Sequence, residues 1–165
     1  MRKTHIAPIA AGVLLALAGT AQAATKTAGF QVSANVVTNC VISATDLALG
    51  TFDGTNNLAS TSTITVSCTN GTGYVVDLNT GSSGSFTARA LRNGGTSLFY
   101  NLYTAGDYLT IWGDDSPGTE NVAGSGDGMA NADTLTVHGR LLASDNTGPI
   151  DAGSYVDLIT ATITY

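Results

Sequence analysis

Apolar and polar residues alternate with a period of two in several short segments of this chain. Successive side chains of a β-strand point to opposite faces, so this pattern predicts strands with one buried face. No segment after residue 23 keeps the apolar repeat of an amphipathic helix. The alternating segments are residues 30–36, 64–68 and 135–141, and strand-like apolar runs occupy residues 74–78 and 98–103. A last predicted strand, residues 156–165, places Ile159, Ala161, Ile163 and Tyr165 on one face.

Clusters of turn-forming residues separate the predicted strands. Asp53-Gly54, Asn70-Gly71 and Asn93-Gly94-Gly95 combine side chains that bond nearby backbone with glycines that tolerate a left-handed backbone. Residues 114–133 form the longest predicted loop. Many short strands joined by such turns predict an all-β fold, an immunoglobulin-like antiparallel β-sandwich, in one domain over residues 39–165.

Composition supports a globular β-protein and excludes several other classes. The chain has 165 residues, of which 43% are hydrophobic and 11% are charged. This apolar fraction supplies a core, whereas a disordered chain has few apolar and many charged residues. The net charge is −6, and binding to nucleic acid requires cations that neutralise phosphates. Nucleic acid is therefore not an expected partner.

The first 23 residues have the pattern of a cleavable signal peptide. Arg2 and Lys3 form a positive start, residues 6–17 are apolar, and residues 21–23 read Ala-Gln-Ala, which signal peptidase recognises. The apolar stretch is shorter than the roughly 20 residues that cross a bilayer. We therefore expect an exported chain with no membrane span.

Two cysteines, Cys40 and Cys68, follow the signal sequence. In an exported chain the default prediction is a disulfide bond between them. A metal site needs more ligands than these cysteines and His138, the one histidine after residue 23, supply. A cysteine nucleophile would need His138 as its base, and the position of His138 in a predicted strand favours a structural role instead.

The remaining residues carry no pattern typical of an enzyme. Glycoside hydrolysis needs two acids across a cleft, and the 12 acidic residues lie mostly in turn-rich segments that single out no pair. Residues 124–128 read Gly-Ser-Gly-Asp-Gly, without the Lys of a phosphate loop or the spaced acids of an EF-hand. Asp114, Asp115 and Glu120 are an alternative set of oxygen ligands for Ca²⁺. The preferred prediction is a protein without catalytic residues, cofactor or metal.

A set of local sequences, in order along nearly the whole chain after residue 23, resembles a known family. These are residues 39–44 (NCVISA), 46–53 (DLALGTFD), 64–68 (ITVSC), 98–103 (LFYNLY) with 112–114 (WGD), 138–140 (HGR) and 153–157 (GSYVD). Together they resemble the spore coat protein U domain family, which overlaps the archaic chaperone–usher pilins. Leu49, Phe52 and His138 stand where that family often has Phe, Tyr and Tyr, which are similar in size or aromatic character.

The resemblance implies a structural subunit of a surface pilus or coat, with roles in adhesion, biofilm or a spore coat. Such subunits are sandwiches that lack their last strand. A periplasmic chaperone fills the resulting apolar groove, and at an outer-membrane usher the N-terminal segment of another subunit replaces the chaperone. The donor segment would be residues 24–38, and the donated side chains are those of Phe30, Val32, Ala34 and Val36. The groove-edge strand would carry Ile159, Ala161, Ile163 and Tyr165, and the partners would be copies of this chain or related subunits.

Two alternatives stay open at the level of sequence. Residues 29–37 could pair within their own domain as its first strand, instead of donating to another copy. The chain could also be a self-contained secreted carbohydrate-binding sandwich, in which Trp112, Tyr103 and Tyr108 form a platform for sugar stacking.

Overall fold

The computed structural model describes residues 22–165. Most of the predicted signal peptide, residues 1–21, lies outside the described residues. The chain divides into two compact units, one that ends at Asn35 and one that comprises Val36–Tyr165. Residues 22–35 of the first unit have no regular secondary structure. All strands of the described residues lie in the second unit.

The second unit is built from strands and two short 3₁₀ turns. The strands are β1 (Cys40–Ala44), β2 (Leu58–Cys68), β3 (Gly73–Leu78), β4 (Arg89–Asn93), β5 (Thr96–Tyr103), β6 (Val122–Ser125), β7 (Asp133–Leu141) and β8 (Ala161–Thr164). The 3₁₀ turns are Gly81–Ser83 and Ala143–Asp145. Among the described residues, no helix is long and apolar enough to cross a bilayer.

The strands form two antiparallel sheets. The five-stranded sheet has the order β1-β2-β7-β5-β4, and the three-stranded sheet has the order β6-β3-β8. Every pairing within them is antiparallel, and β4 and β5 are joined by the two-residue turn Gly94-Gly95. These sheets confirm the prediction of an all-β, immunoglobulin-like antiparallel sandwich.

The core lies between the sheets, where alternate residues of each strand meet. Ile64 and Val66 of β2 face Val76 and Leu78 of β3, and each of these side chains is at most 2% exposed. The polar residues between them on both strands are less buried. The period-two pattern of the sequence therefore separates a buried face from an outer face, as the strand geometry requires.

Four predicted strands are confirmed, and three predictions need correction. Residues 64–68, 74–78, 98–103 and 135–141 lie within β2, β3, β5 and β7. The predicted strand over 156–165 is shortened to β8, because residues 157–160 form no ladder and Val156 makes only an isolated bridge to Arg92. The predicted loop over 114–133 contains β6, and the alternating residues 30–36 are not in a strand. Alternation produces a strand only where the backbone groups find a partner strand.

The predicted disulfide bond joins the first two strands. Cys40 and Cys68 lie directly opposite each other in the β1–β2 register, with Cα atoms 4.1 Å apart. Cys68 is 1% exposed and belongs to the core cluster. The bond therefore fixes the start of the edge strand β1 to the buried end of β2.

Candidate functional site

The two sheets have neighbouring free edges. β1 is an outermost strand of the five-stranded sheet, β8 is an outermost strand of the three-stranded sheet, and the two strands approach each other. In the described part of the chain, no backbone ladder joins β1 to β8. Each strand therefore has one side on which its N–H and C=O groups lack a partner strand, and such edges accept an additional strand.

An apolar groove opens where the chain continues from these edges. It runs between residues 44–54, which begin at the last residue of β1, and residues 150–161, which end at the first residue of β8. Its larger cavity has a volume of about 800 Å³ and its smaller one about 220 Å³. Leu47, Leu49 and Leu91 line both cavities, so the cavities are parts of one groove. Its remaining apolar lining includes Phe52, Leu58, Leu98, Ile150 and Tyr155 in the larger cavity, and Ile64, Leu78, Leu102, Val137, Ile159 and Ala161 in the smaller one.

The floor of the smaller cavity consists of core residues. Ile64 and Leu78 are 2% exposed, and they come from opposite sheets. The groove therefore reaches into the interior of the sandwich and is not a shallow surface depression. The apolar surface that remains in contact with water belongs to half-buried groove residues such as Leu47, Leu49 and Ile159, and its cover by another apolar group is favourable.

Residues 155–160 form one wall of the groove. Val156 exchanges two backbone hydrogen bonds with Arg92 of β4, with N···O distances of 2.8 and 3.1 Å, and farther on the Asn79 amide donates to the carbonyl of Thr160 at 3.1 Å. This wall thus crosses from the edge of one sheet to the other. Val156 and Leu158 are 66% and 81% exposed, whereas the residues between and after them are half-buried.

The four predicted groove-edge residues differ in their surroundings. Ile159 and Ala161 line the groove, and Ile163 is half-buried against the core. Tyr165, the last residue of the predicted face, is 55% exposed. The pattern of alternation is therefore observed through Ile163.

Asp157 anchors this wall to the core. Its Oδ2 accepts a hydrogen bond from the hydroxyl of Tyr100 at 2.8 Å, and its Oδ1 accepts one from the amide of Ser82 at 2.8 Å. Burial, followed by the bond to Asp157, raises the pKa of Tyr100 well above the ordinary tyrosine value. Gly81 has a positive φ of 63°, and a side chain there would overlap the Asp157 carboxylate.

The opposite wall, residues 44–54, is held by a turn and by one close contact. Asp53 Oδ1 accepts hydrogen bonds from the amides of Thr55 and Asn56, both at 2.8 Å. These bonds, with that to Asn56 the largest cause, hold the pKa of Asp53 well below its ordinary value. Leu47 packs over Gly139 of β7, where an added Cβ would lie 2.8 Å from the Leu47 methyl groups.

The predicted donor residues are all exposed. Phe30 is 88% exposed, Val32 83% and Val36 88%, and Ala34 is also exposed. Residues 22–39 contain no strand. The alternating apolar residues of the sequence therefore lie on an exposed segment without regular secondary structure.

The residues of the alternative predictions lie elsewhere. Trp112 is 1% exposed, and its Nε1–H donates to the carbonyl of Val76 at 2.9 Å, so its proposed place in a sugar platform is wrong. Tyr103 and Tyr108 do meet, edge to face, with ring centroids 5.4 Å apart. Hydrogen bonds from Ser116 lower the pKa of Asp114, and among residues 22–165 no three His, Cys, Asp or Glu side chains converge as metal ligands.

Strand patterning alone does not identify several groove residues. Leu91, Ile150 and Tyr155 line the larger cavity, yet none of them lies in a segment predicted as a strand. The sequence carried no alternation signal at these positions: on residues 155–158 the inward side chains include Asp157, and the outward ones are Val156 and Leu158.

Comparison with known proteins identifies the family of this open-edged sandwich. The family model of the Spore Coat Protein U domain matches residues 26–162, and the chain belongs to this family. No curated protein matches the chain.

One similar solved structure is the crystal structure of the CsuC–CsuE chaperone–tip adhesion subunit pre-assembly complex from the archaic chaperone–usher Csu pili of Acinetobacter baumannii. The identity is 22% and the TM-score 0.55, over 79% of this chain. The chain spans 40% of the length of that protein. At this identity the likeness concerns the fold.

Proposed function

We propose that this protein is a structural subunit that polymerises by donor-strand complementation into a surface pilus or coat. The observation that carries the proposal is the apolar groove between residues 44–54 and 150–161, which adjoins the free edges of β1 and β8 and reaches core residues of both sheets. A strand placed in this groove would complete the backbone hydrogen bonds of an edge and cover the apolar lining.

The donor in this proposal is residues 24–38 of another copy. Phe30, Val32, Ala34 and Val36 recur at every second position, so in an extended strand their side chains would project together into the groove. In strand addition, main-chain hydrogen bonds supply affinity and pockets for alternate side chains supply specificity. Full burial of the Phe and the two Val side chains would contribute about 5–9 kcal/mol before ordering costs.

The acceptor in this proposal is the groove of the preceding subunit. Leu47 and Leu49 on one wall and Ile159 and Ala161 on the other offer half-buried apolar surface to the incoming side chains. Because donor and acceptor are different surfaces of the same chain, the contact is head-to-tail and propagates into a linear polymer.

A periplasmic chaperone and an outer-membrane usher are the further partners that we propose. The apolar groove of an isolated subunit needs a temporary occupant, because exposed apolar surface and free strand edges promote aggregation. Membership of the Spore Coat Protein U domain family and the similar fold of a subunit solved in a chaperone complex support this partner class. Export through the periplasm and display at the cell surface complete the proposal.

Deletion of residues 24–34 tests the donor and the acceptor separately. We expect the truncated chain to bind a synthetic peptide of residues 24–38, and we expect it not to form polymers by itself. Peptide binding is measured by the rise in the thermal unfolding midpoint, and polymers by gel electrophoresis of unheated samples. A peptide with Asp in place of Phe30 and Val32 is the matched control, because it places charge where apolar pockets are expected.

Two results would overturn the proposal. Polymers of the truncated chain would show that residues 24–34 are not the donor. Equal stabilisation by the parent and control peptides would show that the groove does not recognise the alternating apolar side chains of the donor.

A further inference from the structure

A separate cavity lies on the outer face of the five-stranded sheet. It has a volume of about 290 Å³ and is lined by Phe99 and Tyr103 of β5, Arg140 of β7, and Thr87 and Asp145 of two flanking loops. Phe99 and Tyr103 alternate with the inward-facing Tyr100 and Leu102, so their side chains point away from the core. The proposed assembly function does not use this cavity.

Two buried asparagines fix the walls of this cavity. Asn101 is 6% exposed; its Nδ2 donates to the carbonyl of Phe86 at 2.8 Å, which holds the segment that leads to Thr87. Asn146 is also 6% exposed; its Oδ1 accepts from the Phe99 amide at 2.7 Å, and its Nδ2 donates to the Phe99 carbonyl at 2.9 Å. Satisfied buried amides of this kind rigidify their surroundings. The cavity is therefore preorganised.

An aromatic cluster positions the guanidinium of Arg140. Its Cζ lies 5.0 Å from the ring centroid of Tyr108, a cation–π distance, and the Tyr108 ring packs edge to face against Tyr103 at 5.4 Å. Tyr108 has a positive φ of 58°, a conformation that is costly for a bulky residue and that concentrates at functional sites. The strained residue thus lies directly beside the cation that lines the cavity.

The charges of the lining define the class of ligand. Arg140 and Asp145 line the same cavity, and in the described part of the chain no ion pair joins them. A negatively charged ligand would be attracted by one and repelled by the other, and the reverse holds for a positively charged ligand. A neutral ligand with several hydroxyl groups can accept from the guanidinium and donate to the carboxylate.

The aromatic side chains of the cavity restrict the class of ligand further. Phe99 is 43% exposed, and Tyr103 lines the same cavity, so flat apolar rings are available beside the charged groups. The C–H face of a pyranose packs on such rings while its hydroxyls bond at the edge. The volume is close to the lower limit of small-molecule pockets, about 300 Å³, which suits a single ring. We propose that this cavity binds one neutral sugar residue of a glycan.

An amide NMR titration of the full exported chain tests the proposal. The probes are methyl α-D-mannopyranoside, methyl β-D-galactopyranoside and methyl N-acetyl-β-D-glucosaminide. We expect at least one of them to produce saturable shifts of millimolar affinity, centred on the amides of Phe99, Tyr103 and Arg140. Arg140→Gln and Phe99→Ala should each weaken this binding by about tenfold or more, because each removes a direct contact.

Arg92→Gln is the matched control. Arg92 is exposed on β4, donates to Ser97 Oγ at 3.0 Å and does not line the cavity, so this variant should bind the glycoside as the parent chain does. Unchanged amide shifts outside the cavity would show that the Arg140 and Phe99 variants are folded.

Three results would overturn the proposal. One is the absence of saturable shifts with all three glycosides, and another is an Arg140→Gln variant that binds as tightly as Arg92→Gln. The third is tighter binding of a methyl glucuronide than of the neutral glycosides, which would assign the cavity to anions. Polymer formation by the Arg140 and Phe99 variants is measured in parallel, so this proposal can fail while the assembly proposal stands.

Discussion

At the scale of single residues, a buried cation joins parts of the chain that are distant in sequence. Arg89 has 0% exposure, and its guanidinium donates two hydrogen bonds to the Asn79 carbonyl, one to Asn101 Oδ1 and one to the Trp112 carbonyl, at 2.7–3.0 Å. Burial lowers the pKa of Arg89 to about 10, so the group remains charged at neutral pH. Neutral acceptors therefore surround a buried charge, and loss of the fork geometry would leave several of them unpaired.

A buried tyrosine makes the stability of the protein depend on pH in the alkaline range. Tyr74 is 3% exposed, and its hydroxyl donates to Asp133 Oδ2 at 2.8 Å. Burial, together with the neighbouring carboxylate, raises the pKa of Tyr74 from 10.0 to about 12. As the pH rises, the unfolded chain therefore releases this proton before the folded chain does. The contribution to stability is complete below pH 10.0 and is lost as the pH approaches about 12.

We expect Tyr74→Phe to reduce this dependence. Urea unfolding midpoints measured between pH 10.0 and about 12 should fall less steeply for the variant than for the parent chain. Burial also raises the pKa of Tyr100, so part of the decrease in the midpoint with pH should remain in the variant and in the parent chain alike. Tyr165→Phe, at a position that is 55% exposed, is the control and should follow the parent chain. If the midpoints of Tyr74→Phe and of the parent chain fell equally steeply with pH, Tyr74 would not be a source of this pH dependence.

Residues such as Arg89 and Trp112 mark the limit of prediction from sequence. Both are buried, yet Arg89 belongs to a residue type that patterns place on the surface, and Trp112 lies in a loop. Their burial depends on acceptors from distant segments, such as Asn79 for Arg89 and Val76 for Trp112. A window of neighbouring residues carries no information about those partners.

At the scale of elements, the glycines at the end of β6 and just after it allow close packing. Gly124 lies under the ring of Tyr74, and Gly126 lies against Cys68 and its disulfide. Gly126 also exchanges backbone hydrogen bonds with the β2–β3 turn, donating to Thr72 and accepting from Gly71. Residues 124–128, whose sequence superficially resembles a phosphate or calcium loop, thus use Gly124 and Gly126 to pack closely against Tyr74 and Cys68.

Gly126→Ala is expected to destabilise the fold by about 1–3 kcal/mol. An added Cβ would lie 2.9 Å from the carbonyl oxygens of Cys68 and Thr69, and backbone atoms fixed by a disulfide cannot move aside cheaply. Gly73→Ala is the matched control: Gly73 begins β3, has open space around its Cα and should change stability by less than about 0.5 kcal/mol. Urea unfolding measures both, and equal stabilities would contradict the packing argument.

The strength of each local pattern decided which elements were predictable. β2, β3, β5 and β7 have long apolar alternation or runs, and all four were predicted. β6 reads Val-Ala-Gly-Ser, and small residues with two glycines nearby resemble a loop. It forms a strand because its backbone pairs with β3. Long-range pairing overrides weak local propensity here.

At the scale of the whole molecule, the groove is a property of topology and not of any segment. Residues 44–54 and 150–161 are far apart in sequence and form its two walls because β1 and β8 are edges of different sheets. The resemblance to a family predicted that a groove-edge strand would carry Ile159 and Ala161. The positions of Leu91, Ile150 and Tyr155 in the groove required the three-dimensional arrangement.

The position of the end of β8 allows a direct test of the proposal that the apolar groove accepts a strand. β8 ends at Thr164, and β3 occupies only one of its sides. A segment attached after Tyr165 through a two-residue Asn-Gly turn would run back antiparallel along the free side of β8. The chain can therefore be given its own copy of residues 28–37 in place of a neighbour's.

We expect this self-complemented chain to be monomeric and more stable than the parent chain, since the added strand covers apolar lining and pairs with a free strand edge. Urea unfolding measures the stability, and electrophoresis of unheated samples measures polymer formation. The control fusion carries Asp at the positions of Phe30 and Val32 and has the same length and turn. It should gain no stability and should still polymerise, because an unfilled groove remains available to another copy. Equal behaviour of the two fusions would mean that the added strand does not fill the groove, and the assembly proposal would then lose its physical basis.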